Sequence, residues 1–343
     1  MNHKARIWKR SVPPKRVLAI RLQAMGDLVI TLPYLQALRD SLPPGTQLDL
    51  LTRQEVAAIP QHLHLFNRVF AIGGGRVFKR QFLYAIFLLP RLMLRRYDVV
   101  LDLQNNKLSR MVRLVLRPRA WTEFDRLSPI SAGLRNQNTI AAVGLGNHAA
   151  AFHLCLREPV DTAGLLRRNG WDGVSGLVVL NPAGAFATRH WPVENYVSFA
   201  RQWLQHFPQT QFLVIGVPLV AEKATFFQRQ LGGRLINLVS KTTPVEAFAL
   251  LQQVRLTLTE DSGLMHMSWV QGIATLALFG STRSDWSAPL GRHSLLLHSG
   301  DLPCGSCMRE QCLHGNTPCL TRYTPEQVLA AALALVAAAT AGA

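Results

Sequence analysis

Short aliphatic runs alternate with longer amphipathic stretches along most of the chain. In the first half the runs are RVLAIRL, QLDLLT, RVFAI and YDVVLDL, at residues 16–22, 47–52, 68–72 and 97–103. In the second half they are GLVVLNP, QFLVIGV, RLINL, RLTLTE and ATLALFG, at residues 176–182, 211–217, 234–238, 255–260 and 274–280. Continuous apolar runs bounded by turns are typical of buried parallel strands. The pattern therefore predicts an α/β protein in which helices cover parallel sheets.

Two blocks of this kind predict two Rossmann-like domains. The chain has 343 residues, and a domain usually takes about 100–200. The alternation is interrupted near residues 150–172, so we expect an N-terminal domain over residues 1–160 and a C-terminal domain over residues 161–343. The Ala-rich segment that begins at Val328 predicts a last helix, and the pattern leaves open that this helix packs back on the N-terminal domain.

The positive charge is concentrated in the first half. The formal net charge is +17. Residues 1–150 hold 23 Lys or Arg and 8 Asp or Glu, a net of +15, whereas the remaining residues hold 14 and 12, a net of +2. Such an excess attracts polyanions, whether nucleic acid, anionic lipid headgroups or phosphorylated sugars. The alternative is a solvated basic surface that aids solubility.

One apolar segment, FLYAIFLLPRLML at residues 82–94, is too short to span a bilayer, which takes about 20 apolar residues. It also contains Pro90 and Arg91. Basic residues flank it, namely Lys79, Arg80, Arg95 and Arg96. The segment fits a helix lying in the plane of an anionic membrane or, equally, a helix buried against a sheet. No secretory leader is expected, because the apolar run VLAI that follows the basic N-terminus is only four residues long. We expect a cytoplasmic protein that contacts the inner face of the inner membrane.

Three loops that follow predicted strands carry groups suited to chemistry, and in parallel sheets ligands bind beyond the carboxyl ends of the strands. In RLQAMGDLVITLP, residues 21–33, Asp27 is a lone acid in a basic region, either a general base or a helix cap. In EDSGLMHMSWVQG, residues 260–272, Ser262 and Gly263 precede a helix whose first N–H groups favour a phosphate, or they merely cap that helix.

The third loop, NPAGAFATRHWP at residues 181–192, combines small residues with a hydroxyl and a fixed positive charge. Thr188 and Arg189 in this setting suit a diphosphate clamp. The alternative for Arg189 is an ordinary surface position.

In order and spacing, these three loops resemble those of the heptosyltransferases of glycosyltransferase family 9. The resemblance spans about residues 15–335 and is most specific from DSG through LFGST. It implies a GT-B fold, with two Rossmann-like domains facing across a cleft. It also implies that the C-terminal domain binds a nucleotide-sugar donor, usually ADP-heptose, and that the N-terminal domain binds a Kdo–lipid A or core glycan acceptor.

Carried over position by position, the resemblance makes Asp27 the general base that deprotonates the acceptor hydroxyl. It places the diphosphate and donor against a set of seven residues: Thr188, Arg189, Asp261, Ser262, Gly263, His266 and Glu222, the last towards the ribose. Thr242 and Thr243 fall near the adenine edge. Two departures affect the donor's identity: Leu264 stands where Pro is common, and Arg189 stands where relatives carry Lys, which keeps the charge but changes the geometry.

Basic residues after the strand YDVVLDL are candidates for contacts with an anionic acceptor. They are Lys107, Arg110 and Arg113, with Ser109 between them. A solvated helix face is the alternative for each of them.

Four cysteines near the C-terminus, Cys304, Cys307, Cys312 and Cys319, form a C-x2-C-x4-C-x6-C cluster. Four thiolates at this spacing can bind zinc or iron, and in a reducing compartment a structural metal is favoured over disulfides. A reduced thiol cluster without metal is the alternative. No cofactor is expected for catalysis, because positive groups and helix-end N–H donors can stabilise the leaving diphosphate.

The resulting hypothesis is an inverting glycosyltransferase that moves heptose from ADP-heptose to the lipopolysaccharide inner core. A second hypothesis keeps this chemistry but uses another acceptor, a protein or another glycan. A third is a non-enzymatic polyanion binder. The third predicts aromatic residues among the basic ones and a nucleic-acid motif. Neither is visible, so no nucleic acid is expected as a partner.

Overall fold

A computed structural model describes residues 4–75 and 77–341 and divides the chain into two compact units between Glu158 and Pro159. Each unit contains one six-stranded sheet. The boundary lies two residues before the one expected from the sequence.

The first unit has a sheet with the strand order β1-β6-β5-β2-β3-β4. All neighbouring strands are parallel except β1, which pairs antiparallel with β6 at the edge. The strands are β1 Ala5–Arg6, β2 Arg16–Ile20, β3 Gln47–Arg53, β4 Arg68–Ile72, β5 Val99–Asp102 and β6 Ala120–Glu123. The helices are α1 Met25–Ser41, α2 Ala58–His62, α3 Phe78–Leu94, α4 Lys107–Leu116 and α5 Ala132–Ala141.

The second unit has an entirely parallel sheet with the order β12-β11-β10-β7-β8-β9. Its strands are β7 Gly176–Asn181, β8 Thr210–Gly216, β9 Leu235–Val239, β10 Val254–Glu260, β11 Thr275–Leu278 and β12 Ser294–Leu297. Its helices are α6 Thr162–Arg168, α7 Val193–His206, α8 Ala221–Leu231, α9 Pro244–Leu251, α10 Gly263–Trp269, α11 Ser284–Ser287, α12 Pro318–Thr321 and α13 Pro325–Ala341.

Buried aliphatic residues on both faces of each sheet form the cores. In β2, every residue from Val17 to Ile20 is fully buried, which explains why this strand reads as a continuous apolar run. The second core is rich in large rings, with Trp191, Tyr196, Phe199 and Trp203 all buried on or beside α7. Burying side chains of this size dominates the stability of a domain.

The strand order reverses direction once in each sheet. The reversal lies between the neighbouring strands β2 and β5 in the first unit, and between β7 and β10 in the second. Loops at the carboxyl ends of such a strand pair separate and leave a crevice, which is where open α/β sheets bind ligands. The loops after β2, β7 and β10 are the three that the sequence singled out.

The predicted fold class is confirmed, and every strand predicted from an aliphatic run exists within two residues of its predicted ends. Three strands were missed, namely β1, β6 and β12, each of four residues or fewer. The last helix begins at Pro325 and buries Val328, Ala332 and Leu335 in the core of its own unit, against α7 and the second sheet.

Within the described ranges, no helix is both long enough and apolar enough to cross a membrane.

Candidate active site

A pocket of about 370 Å³ lies at the carboxyl edge of the second sheet, where the strand order reverses. The loops after β7, β8, β9 and β10 all contribute to its wall. The lining residues are Asn181, Ala183, Ile215, Gly216, Val217, Thr242, Thr243, Pro244, Ala247, Ser262, Gly263, Leu264 and Met267. Four of the positions singled out from the sequence, Thr242, Thr243, Ser262 and Gly263, are thus brought to one pocket.

The loop at the start of α10 is held by its serine. The Ser262 hydroxyl accepts a hydrogen bond from the Met265 backbone N–H at 3.3 Å and another from the Asn181 side-chain amide at 2.7 Å. A Cβ built on Gly263 would meet no atom within 4 Å, so this side of the backbone is open for a ligand. Ser262 is therefore both the cap of α10 and a residue of the pocket wall.

Arg189 and Asp261, both predicted as donor residues, form an ion pair. The Arg189 Nη1 to Asp261 Oδ2 distance is 3.2 Å, and both side chains are largely buried. The guanidinium also lies over the Phe186 ring, 4.7 Å from its centre. Because Asp261 directly precedes Ser262, the pair lies beside the pocket loop, and it fixes the arginine's orientation there.

Three predicted donor residues are placed elsewhere. Thr188 is buried, and its hydroxyl bonds to the Ser281 hydroxyl and the Arg309 carbonyl, so it faces the cysteine segment rather than the pocket. Glu222 is exposed near the start of α8 and does not line the pocket. His266 is buried in α10, where its Nδ1 accepts a hydrogen bond from the Trp269 indole at 3.1 Å. As the side chains lie, the predicted donor contacts of these three residues are not supported.

The sequence reasoning missed a buried carboxylate, Glu260, beneath the loop after β7. Its two oxygens accept hydrogen bonds from the Gly184 N–H at 2.7 Å and the Trp191 N–H at 2.8 Å. A Cβ on Gly184 would come within 2.6 Å of the Arg189 Cβ, so only glycine allows this approach. Glu260 is the last residue of β10 and the first residue of the stretch that the sequence singled out, but no local pattern marks it as a buried partner of the loop after β7.

Burial raises the pKa of Glu260 to about 7, against the lowering effects of Lys223 and of the two backbone donors. Lys223 was also missed. Its ammonium donates to the Pro182 carbonyl at 2.7 Å, and burial lowers the pKa of this lysine. Two side chains therefore hold the loop after β7: Glu260 accepts hydrogen bonds from its N–H groups, and Lys223 donates to one of its carbonyls.

In the first unit, Asp27 lies in the first turn of α1 with its side chain 46% exposed. One oxygen accepts a hydrogen bond from the Ala24 N–H at 3.1 Å, and the other pairs with the buried Arg21 guanidinium at 3.1 Å. Burial lowers the pKa of Arg21, and Asp27 counteracts this. Asp27 is therefore a helix cap and also an accessible carboxylate.

The turn before Asp27 is tied to the neighbouring strand by Gln104, a residue that the sequence did not single out. The Gln104 side-chain oxygen accepts hydrogen bonds from the N–H groups of Leu22 at 2.9 Å and Gln23 at 3.1 Å. Arg21 also donates to the Leu103 carbonyl. The loops after β2 and β5 are thus joined at the reversal point of the first sheet.

Lys107 and Arg110, predicted as acceptor contacts, line an open depression of about 600 Å³ together with Arg126 and three apolar side chains of α4. An adjoining depression adds Lys4 and Phe124, and its wall also includes the acidic residues Glu123 and Asp125. The structure therefore brings four basic residues to one region of the first unit.

Arg113 was predicted to face the acceptor as well, and this prediction is wrong. Its side chain is buried, forms an ion pair with Glu123 and lies 3.9 Å over the ring of Trp121. Ser109 is also buried and bonds to Asn106 at the start of α4. Both residues belong to the inward face of α4, so they serve structure.

The four C-terminal cysteines line one small cavity of about 30 Å³, and no disulfide joins them. Cys319 is buried, and burial with three neighbouring thiols raises its pKa. Among the described residues, however, no group of three or more His, Cys, Asp or Glu side chains is arranged to hold a metal ion. The thiols are neighbours, as the spacing indicates, but their positions do not fit the predicted zinc or iron.

The two Rossmann-like units, each with one six-stranded sheet, give the chain the GT-B fold of the solved glycosyltransferase structures that it resembles. Residues 157–317 match the model of glycosyltransferase family 9 (heptosyltransferase). This match covers a little under half of the chain and confirms, over these residues, the resemblance found in the sequence.

Individual relatives extend the similarity over nearly the whole chain. The chain is 24% identical to lipopolysaccharide heptosyltransferase 1 of Pseudomonas aeruginosa, with 91% of this chain and 96% of the relative covered. A family 9 glycosyltransferase from Veillonella parvula has a similar fold, with a TM-score of 0.77, 19% identity, and 94% and 97% of the two chains covered. The E. coli ADP-heptose lipopolysaccharide heptosyltransferase II gives a TM-score of 0.71 at 18% identity, with 94% and 98% covered.

Proposed function

We propose that the protein transfers heptose from ADP-heptose to a sugar of the lipopolysaccharide inner core, with inversion at the anomeric carbon. The observation that carries the proposal is the accessible carboxylate of Asp27 at the reversal point of the first sheet, in a chain whose second sheet has a nucleotide-sized pocket at its own reversal point. The names of the relatives support the sugar and the acceptor.

The donor pocket suits an ADP-sugar. Ile215, Val217, Ala247 and Met267 offer apolar contacts for an adenine ring. The diphosphate is assigned to the backbone of Ser262 and Gly263, where the first N–H groups of α10 have no intrahelical acceptor. Arg189, oriented by Asp261, supplies positive charge for the leaving group.

Asp27 acts on the acceptor. As the acceptor oxygen bonds to the anomeric carbon, the bond from that carbon to the diphosphate oxygen breaks, and the hydroxyl proton passes to Asp27. A carboxylate has about four lone-pair sites, so the bonds from Ala24 and Arg21 leave capacity for the proton. One displacement inverts the anomeric centre. This chemistry needs only groups of the chain, and ADP is the leaving group.

The acceptor is an anionic lipid-linked glycan, Kdo–lipid A or a core glycan built on it. Lys107 and Arg110, with Lys4 and Arg126 in the same region, supply the matching positive charge. Such an acceptor places the enzyme in the cytoplasm, peripherally on the inner face of the inner membrane.

The test is turnover with defined substrates. Purified protein is incubated with ADP-heptose and either Kdo–lipid A or a core glycan carrying one heptose. We expect ADP release and an acceptor mass increased by one heptose. The same protein with Asp27→Asn should bind ADP-heptose but release ADP at least about 100-fold more slowly. Transfer to a protein while both glycans remain unmodified would instead identify the alternative acceptor. An absence of ADP release with every acceptor would contradict the enzymatic proposal.

A further inference from the structure

We propose that α3, extended by the exposed end of α4, lies in the interface of an anionic phospholipid bilayer and docks the protein there. The inference deepens the proposed function, whose acceptor is lipid-linked, by naming the surface that meets the membrane. The inference rests on the proposed function only for the identity of the membrane that the surface meets. The evidence for the docking surface comes from the first unit alone.

One stripe of α3 faces the sheet. Ala85, Leu88, Leu89 and Leu92 recur at the spacing of one helical face and pack into the core of the first unit. This stripe already gives the helix its tertiary packing. An ordinary surface helix would carry polar residues on its remaining circumference.

The outward face of α3 is apolar instead. Phe87 is 72% exposed and Leu94 is 80% exposed. The other large apolar side chains exposed on this face are Phe82, Leu83, Ile86 and Met93. We call these six side chains the docking face. No residue from Phe82 to Pro90 is charged, so the middle of the helix has no polar side to present to water.

Basic residues frame the docking face. Lys79 and Arg80 precede it, Arg91 lies within its last turn and Arg96 follows it, all exposed. No Asp or Glu occurs between Glu55 and Asp98. An apolar centre with a purely positive rim is complementary to acyl chains beneath anionic headgroups.

The helix α4 packs beside α3 and continues the apolar surface. Leu114 is 62% exposed, and Val115 is also exposed. Their helix shares its core with α3 through Leu108 and Val112. The same outward face of α4 carries Lys107 and Arg110, so docking through these helices brings the proposed acceptor-binding depression close to the headgroups.

A bilayer fits this surface better than a second copy of the chain. A twofold interface would place the basic rim of one copy against the equivalent rim of the other, and like charges at close range oppose association. The helix has 17 residues, about 25 Å at 1.5 Å per residue, with one face already committed to the core. It therefore lies along the membrane surface and does not cross it.

The test measures vesicle binding without donor or acceptor, so a failure of the proposed function does not affect its result. The full protein is sedimented with vesicles of phosphatidylcholine alone and of phosphatidylcholine with phosphatidylglycerol. We expect strong preference for the anionic vesicles and at least tenfold weaker binding for the double variant Leu83→Glu with Phe87→Glu. The matched control, Val174→Glu with Leu219→Glu, adds the same charge at two exposed apolar positions of the second unit and should bind like the unmodified protein.

Two further measurements make the outcome decisive. Lys79→Ala with Arg80→Ala should weaken binding to anionic vesicles by roughly tenfold or more, because each basic residue near such a surface contributes about 1 kcal/mol. Unimpaired vesicle binding by the docking-face variant, or no preference for anionic vesicles, would overturn the proposal. So would sedimentation velocity showing a dimer that only the docking-face variant dissociates, since this would assign the face to a second copy.

Discussion

The Arg21 guanidinium and the Asp27 carboxylate pair at 3.1 Å, with the arginine almost fully buried and the aspartate half exposed. The pair joins the end of β2 to the first turn of α1. A buried positive charge behind an exposed carboxylate holds that carboxylate in one orientation, as a general base requires.

We expect Asp27→Asn to lower kcat by 10²- to 10⁴-fold, the usual contribution of a general base. The side chain keeps its size, and its amide oxygen can still accept the Ala24 N–H bond, so donor affinity should change little. The measurement is ADP release together with calorimetric titration of ADP-heptose. Asp40→Asn, at an exposed position in the last turn of the same helix, is the control and should retain full turnover. Turnover of the Asp27 variant at the control's rate would reject the base assignment.

Arg189→Ala should weaken ADP-heptose binding by about 10- to 100-fold, since charge-assisted contacts with a diphosphate contribute about 1.5–3 kcal/mol. Arg201→Ala, which removes an exposed arginine on α7, is the matched control. Calorimetry compares the two variants. Equal donor affinity in both would show that Arg189 serves only its ion pair with Asp261.

Arg113→Ala should lower the free energy of unfolding by about 3–5 kcal/mol, because it removes the buried cation beside Glu123 and Asp102 and leaves Glu123 only the exposed Arg110, 3.8 Å away. Lys107→Ala should leave stability within about 0.5 kcal/mol, as surface substitutions usually do, and raise the KM for an anionic acceptor. Chemical denaturation and acceptor kinetics separate the two effects. A stable Arg113 variant with weakened acceptor binding would restore the role predicted from the sequence.

Glu260 should make stability depend on pH. Its pKa is raised to about 7 from 4.5, so the folded state keeps a proton that the unfolded state loses. The resulting stability is fully present below about pH 4.5 and is lost as the pH rises through about 7, by roughly 3 kcal/mol for this shift. Glu260→Gln cannot titrate, so denaturation curves between pH 5 and 8 should show a smaller loss. Parallel losses in both proteins would assign the titration to another group.

The cysteines should react with iodoacetamide in an order set by exposure. Cys155 and Cys307 are exposed, whereas Cys319 is buried with a raised pKa. Access favours the first two, and the raised pKa of Cys319 lowers the thiolate fraction of that residue. Peptide mass spectrometry over time should find Cys319 modified last. Rapid modification of Cys319 in the folded protein would contradict its placement.

The sequence predicted the strands well because buried parallel strands are continuous aliphatic runs, as in RVLAI at residues 16–20. It also indicated the loops after β2, β7 and β10, because the carboxyl ends of strands are where such sheets bind ligands. It could not distinguish inward from outward residues on α4. Arg113 and Arg110 are three positions apart on one helix, and only tertiary packing decides that Arg113 is buried over Trp121 while Arg110 stays exposed.

Thr188 was misassigned for a similar reason. A hydroxyl next to an arginine in a loop of small residues suits a phosphate site, but the partners of Thr188 are Ser281 and Arg309, over ninety residues away. Glu260 and Gln104 were missed because nothing local distinguishes a strand-end carboxylate or a loop glutamine. Their roles arise from backbone N–H groups that the fold brings from other strands.

The single side-chain oxygen of Gln104 has a consequence for anyone wishing to retarget this enzyme. This oxygen anchors the backbone leading into Asp27 from the loop that also begins α4. Under the proposed function, remodelling that loop for a new acceptor would therefore displace the proposed base as well. Selectivity and rate would then change together. If Gln104 is kept and only positions from Lys107 onward are varied, we expect acceptor selectivity to change without a change in rate.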